Sequence, residues 1–256
     1  MDIIIFCGQS NMQGQSECLS ENETVPFAFE YKWLTDEITP LKNPVGENIT
    51  CDMKNGYTFT KDTIHKEWID IHVAGSSCYG NTNLVPSFCR AYTSLTKREV
   101  VAVHVAKGST EISYWLKGNV GYDVLIQKSN AAINKIVPER IFFVWLQGES
   151  DAINGRTKEY YKNNLKKLCD DLKKDVCISK FGIIRVGRFT NSPSDDEIIL
   201  AQDEICKDDP DFIMLTDIAT TLNGIPEYMN PFVRGHYSAK GLEKLGTEAG
   251  KVLATL

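Results

Sequence analysis

The sequence predicts an α/β fold built on a mainly parallel, five-stranded sheet. Two observations carry this expectation. Short, almost continuously apolar runs rich in β-branched residues recur along the 256-residue chain, and between them lie longer segments whose apolar residues return with helical period. Continuous apolar strands alternating with amphipathic helices are what a parallel sheet covered on both faces requires.

In chain order, IIIFC (3–7) reads as the first strand; it breaks at Gly8 and passes straight to Gln9, Ser10 and Asn11, polar residues that a buried strand excludes. A long, loop-rich excursion follows at about 15–83, with a hairpin signal in FEYKWLTDEITPLKNPV and then a stretch rich in Asn, Thr, Lys and Gly. Connections of that length in compact domains usually carry function, here as a wall of a binding cleft. Helical period appears near 85–97, then a strand at VVAVHVA (100–106), a helix near 121–136 and a strand at RIFFVWLQG (140–148). A helix near 157–174 precedes the strand FGIIRVG (181–187), and a helix near 195–207 precedes FIMLTDI (212–218). Ser194 with Glu197 three residues on forms a capping-box pattern ahead of Ile198, Ile199 and Leu200. The last helix is expected near 238–253. With no internal repeat or low-complexity tract, residues 1–256 read as one domain.

A net charge of -6 with interspersed Lys and Arg argues against a nucleic-acid partner. The dense basic stretch from Lys162 to Lys174 reads as the solvated face of a helix. The eight cysteines form no CxxC pair, no histidine is spaced as a zinc partner, and several cysteines sit in apolar runs, which points to a reducing compartment. The first apolar run follows Met1 without a basic leader and is too short to span a membrane. The expectation is therefore a soluble, cytoplasmic protein that binds neither nucleic acid nor membrane; oligomeric state is left open.

In an open parallel sheet, ligands bind outside the carboxyl ends of the strands. Those ends carry Gly8-Gln9-Ser10-Asn11-Met12, Lys107-Gly108-Ser109-Thr110 and Gln147-Gly148-Glu149-Ser150-Asp151, and Arg234-Gly235-His236-Tyr237-Ser238 lies just before the last helix. A nucleophilic serine needs a base, an acid to orient it, and donors for the developing oxyanion. Ser10 can supply the nucleophile, His236 the base, and the backbone amides of Ser10 and Gly108 with the Gln147 side chain the oxyanion donors. Of the four histidines, His104 lies inside a strand, as a packed core residue would, and His65 and His72 lie in the excursion.

Structural roles compete at each position. Ser10 and Asn11 are ordinary helix caps, Gly108 suits a tight turn, Gln147 and Glu149 suit loop-tying hydrogen bonds, and His236 suits capping or packing. Ser76, Ser77 and Ser109 are further serines beside glycines, Cys7 and Cys78 lack a basic neighbour to activate them, and neither Gly8-Gln9-Ser10-Asn11-Met12 nor its rivals complete a G-x-S-x-G elbow. Trp33, Tyr57, Trp68, Tyr114 and Trp115 are aromatic candidates for stacking on a sugar.

The blocks GQSNM (8–12), AKGSTEI (106–112) with Trp115, and WLQGESD (145–151), followed by a terminal histidine, resemble the sialate O-acetylesterase-like branch of SGNH hydrolases, which includes acetylxylan esterases. The resemblance spans nearly the whole chain. It implies a three-layer α/β/α, flavodoxin-like sandwich and removal of acetyl groups from sugars without a cofactor or metal. It assigns Ser10 as nucleophile, His236 as base, and Gly108 and Gln147 as oxyanion donors. The wider superfamily usually places an aspartate three residues before the histidine, where this chain has Val233. Either Glu149 orients the imidazole instead, with Asp151 and Asp217 as further candidates, or the acid is lost and the chain is a carbohydrate-binding homologue with impaired chemistry.

Overall fold

A computed structural model describes residues 1–19, 23–46, 49–52, 56–59 and 80–256, with the backbone alone for 49–52 and 56–59. His65, Trp68, His72, Ser76, Ser77, Cys78 and the side chain of Tyr57 lie outside the described residues.

Strand β1 (Asp2–Gly8) is followed by a one-turn helix α1 (Ser10–Gln13), then the hairpin β2 (Ala28–Lys32) and β3 (Glu37–Pro40) and a separate antiparallel pair β4 (Ile49–Asp52) and β5 (Gly56–Phe59). Next come α2 (Val85–Thr96), β6 (Val100–Ala106), a 3₁₀ turn (Ile112–Trp115), α3 (Val120–Ile136), β7 (Arg140–Leu146) and α4 (Glu149–Ile153). The chain closes with α5 (Lys158–Asp175), β8 (Lys180–Ile184), α6 (Pro193–Asp208), β9 (Phe212–Thr216), α7 (Ala219–Leu222) and α8 (Ala239–Leu253).

Among the described residues the sheet has seven strands in the order β3-β2-β6-β1-β7-β8-β9, which corrects the expected five. The five apolar runs form its contiguous parallel part. Hairpin β2–β3 extends it, β2 parallel to β6 and β3 antiparallel at the edge. Glu30 and Lys32 obscured the hairpin's membership of the sheet in the sequence, because charged residues read as solvent-facing. Here they are buried as a pair, Lys32 Nζ lying 2.9 Å from Glu30 Oε2.

Side chains alternate across the sheet, so each strand feeds two cores. Phe6 of β1 packs edge-on to Phe88 of α2, and Phe142 of β7 lies against Tyr92 of the same helix. On the opposite face Phe143, Trp145 and Phe181 cluster with Trp115, and Trp145 Nε1 donates to the Tyr161 hydroxyl of α5 at 3.1 Å. Helices thus cover both faces, the three-layer α/β/α arrangement. Among the described residues no helix is long and apolar enough to cross a membrane.

Most helices fall where the periodicity placed them. Helix α6 starts earlier than the capping-box pattern indicated: Ser192 is the N-cap, its Oγ accepting the Ser194 N–H at 3.3 Å, with Pro193 in the first turn. Proline is suited to that position because its missing N–H would have no partner there. Glu197 instead accepts the Lys158 N–H.

Register decides where loops emerge. Strand β1 pairs with both neighbours so that Gly8 lies level with Ala106 of β6 and Leu146 of β7. The three polar blocks therefore leave the sheet at one height, side by side.

Candidate active site

The turn after β1 is set by backbone proximity. A Cβ on Gly8 would lie 2.0 Å from the Leu146 carbonyl oxygen, so only glycine lets β1 pass β7 here. Gln9 N–H donates to that same carbonyl at 3.2 Å, and the chain winds into α1, ending at Gly14 in the left-handed region (φ 89°). Ser10 is the first residue of this turn and is buried. Among the described residues neither its N–H nor its Oγ has a hydrogen-bond partner.

Asn11 joins the distant blocks. Its Nδ2 donates to Glu149 Oε1 at 2.8 Å, and its Oδ1 accepts the Tyr237 N–H at 3.1 Å, a contact 226 positions apart in sequence. Two further bonds hold the carboxyl-terminal loop against the same region: Asn230 Nδ2 donates to the Gln15 carbonyl and the Ala239 N–H to Glu17 Oε2. Ser10 and His236 are thus each one residue from a directly bonded pair. No hydrogen bond joins Ser10 Oγ to His236 in this arrangement.

The His236 ring is buried, its Nδ1 3.2 Å from the Arg234 carbonyl oxygen. A carbonyl can only accept, so Nδ1 carries the proton and Nε2 the lone pair. Nε2 is buried without a partner. Phe189 packs edge-on against the imidazole with centroids 5.6 Å apart. Burial lowers the His236 pKa below its ordinary value, only partly opposed by the Arg234 bond, so the ring is neutral at pH 7.

Glu149 stands elsewhere than the sequence suggested. It opens α4 and is bonded to Asn11 rather than to the imidazole, whose Nδ1 is already satisfied by the backbone. Its Oε2 is buried without a partner, and burial raises its pKa despite the Asn11 bond and the amides at the helix start. Asp217 is exposed. Asp151 accepts from Gln147 Nε2 at 2.6 Å and from the Ile112 N–H at 2.9 Å, and burial raises its pKa to about 6. Neither aspartate is bonded to His236.

The two other expected oxyanion donors are engaged within the protein. Gln147 is fully buried, and its Nε2 faces Asp151 Oδ2, the Thr110 carbonyl (2.8 Å) and Gln9 Oε1 (3.2 Å). With only two protons on that nitrogen, it is a scaffold group here, tying three strand ends together. The Gly108 N–H donates to Gln13 Oε1 at 3.1 Å. Trp115 is core: its Nε1 donates to Thr110 Oγ1 and its ring meets Trp145. Cys7 is fully buried with its thiol pKa raised by burial, the opposite of an activated nucleophile.

Sequence reasoning missed the Arg234 carbonyl and the bridging role of Asn11. The first has no side-chain signature. The second was visible only as an asparagine after the serine, a pattern shared with ordinary caps. Among the described residues no group of three or more His, Cys, Asp or Glu could hold a metal ion.

Comparison with known proteins places the fold and the family. A probable carbohydrate esterase of Arabidopsis thaliana is 24% identical over 206 residues, covering 78% of this chain and 74% of its own. An X-ray structure of an Arabidopsis thaliana protein superposes with a TM-score of 0.71 at 18% identity, covering 99% of this chain and 98% of that one. The structure of NanS superposes with a TM-score of 0.67 at 12% identity, covering 99% and 96% respectively. At these identities the superpositions speak for the fold. The family described as carbohydrate esterase, sialic acid-specific acetylesterase matches residues 1–252, and this chain belongs to that family of carbohydrate esterases.

Proposed function

We propose that the protein removes acetyl groups from acetylated sugars through a covalent acyl-enzyme on Ser10. The observation that carries this is the Asn11 bridge, which sets the serine turn against the histidine loop while Ser10 Oγ and His236 Nε2 both remain uncommitted. Ser10 Oγ attacks the acetyl carbonyl as His236 Nε2 takes its proton. The ester C–O bond then breaks, and the imidazolium returns that proton to the departing sugar oxygen. Water deprotonated by His236 releases acetate and restores the serine. The Ser10 N–H, open at the start of α1, and the Gly108 N–H serve the oxyanion.

The Arg234 carbonyl takes the part usually given to an aspartate: it fixes the tautomer and ring orientation. Unlike a carboxylate it brings no full charge to balance the imidazolium. Glu149 supports the base indirectly, through Asn11 and the Tyr237 amide. The substrate is the acetyl ester of a sugar of sialate or xylan type.

Ser10→Ala and His236→Ala should each lower hydrolysis of p-nitrophenyl acetate by about 10⁴-fold or more. A Ser10→Ala protein with wild-type turnover would refute the assignment. A non-catalytic, glycan-binding role predicts instead that the wild-type protein fails to react with a fluorophosphonate while still binding acetylated glycans.

A further inference from the structure

Gln13 is a buried polar side chain that the mechanism above leaves unused. It lies three residues after Ser10 on the same one-turn helix, and residues three apart share a helix face. Helical side chains lean toward the amino terminus, so the Gln13 carboxamide covers the turn that Ser10 opens. It is fully buried, and its Oε1 accepts the Gly108 N–H at 3.1 Å, with Gln15 Nε2 a longer second donor at 3.4 Å.

We infer that Gln13 is the resident acceptor of the oxyanion site: its amide oxygen holds the Gly108 N–H until the tetrahedral intermediate's oxygen displaces it. The inference rests on the esterase reading, in which Gly108 is an oxyanion donor. Its chemical consequence concerns timing. A neutral ester carbonyl that replaced a neutral amide oxygen would exchange like for like and gain nothing from Gly108 in the ground state. An oxyanion forms a charge-assisted bond about twice as strong as a neutral one, so the exchange becomes favourable only as negative charge develops. Interactions that strengthen from ground to transition state are those that raise turnover. Gln13 thereby keeps a donor pre-aimed, spares it the cost of burial without a partner, and reserves its contribution for the reacting state.

The deciding experiment is a crystal structure of the wild-type protein after reaction with a dialkyl fluorophosphonate. In that reaction the Ser10 Oγ–P bond forms, the P–F bond breaks, fluoride leaves and His236 takes the serine proton. The expected adduct has the phosphoryl oxygen on the Gly108 N–H and the Gln13 carboxamide turned away. An adduct that keeps Gln13 Oε1 on Gly108, with the phosphoryl oxygen bound elsewhere, overturns the inference and leaves the serine mechanism intact. Absence of any Ser10 adduct refutes the esterase reading itself, and this inference with it.

Kinetics give a second readout. Gln13→Met keeps length and bulk but removes the acceptor. Without the competitor, KM for p-nitrophenyl acetate should fall by roughly two- to tenfold, the weight of one ordinary neutral hydrogen bond, with kcat held. If Gln13 only clamps the 107–110 loop, kcat falls and KM does not, which is the contrary result. Should Gln13→Met fail to fold, the adduct structure alone decides.

Discussion

Asn11 concentrates the most consequence in one side chain, because a single amide answers to a carboxylate on one side and the base loop on the other. Asn11→Leu keeps the volume and removes both bonds. Displacements near 1 Å at a catalytic pair can cost about 10²-fold, so kcat should drop by that order with KM little changed. Glu149→Gln retains an oxygen for Asn11, and its turnover should stay within about threefold of wild type, since a neutral hydrogen bond suffices to hold Asn11. A loss near 10⁴-fold in Glu149→Gln would instead mean that the carboxylate charge acts on the imidazole directly. The pH profile tests the base. His236 must be neutral to accept a proton, and burial lowers its pKa, so the acid limb of kcat/KM should fall below the ordinary histidine value near 6.5. An acid limb above that value would contradict the buried environment.

At the scale of elements, the common height of Gly8, Ala106 and Leu146 brings the three polar blocks together, and the opposite end of the same strands holds the register. There Asp2 is fully buried and bonded to Arg98, Arg140 and the Tyr92 hydroxyl, locking β1 to β7 and α2. Burial alone would raise its pKa, yet the bonds from Arg98, Arg140 and Tyr92 outweigh it and hold the carboxyl well below the usual range. Its stabilisation is therefore complete above the unfolded-state value near 4 and disappears as pH falls toward the folded one. Asp2→Ala leaves Arg140 without its carboxylate and Arg98 with Glu139 alone, and should cost about 2 kcal/mol in urea unfolding at pH 7. A change under about 0.5 kcal/mol would show that the cluster does not fix the strand. The five apolar strands β6, β1, β7, β8 and β9 were legible because continuous apolar runs have no other use in a domain of this size. Hairpin β2–β3 was legible as a local pair but not as part of the sheet. Its membership depends on burying Glu30 against Lys32, and two charges of opposite sign cancel only when folding brings them together.

Across the whole molecule, the buried histidine outside the candidate site should link acid pH to stability. His104 on β6 is enclosed by the core, its Nε2 3.1 Å from the Met12 carbonyl. Burial, aided by the positive charges of Lys128 and Lys32, pushes its pKa down to about 3. The unfolded chain takes up a proton near pH 6.5 that the folded one refuses until about 3, so stability should decline as pH falls through that interval. The slope from this group approaches about 1.4 kcal/mol per pH unit, and His104→Gln should flatten the corresponding part of a urea-midpoint profile. An unchanged slope would place the acid sensitivity elsewhere.

By itself the sequence determined the α/β class and the order of the strand-end blocks, and it offered Ser10 and His236 as the candidate serine and histidine. Those follow from periodicity and from side chains whose chemistry is written in their type. Tertiary structure decided what faces the histidine, where Glu149 reaches and which amides are already spoken for. A ring nitrogen can be satisfied by any carbonyl that the backbone brings near, and the carbonyl of Arg234 is chemically the same as every other until the chain folds.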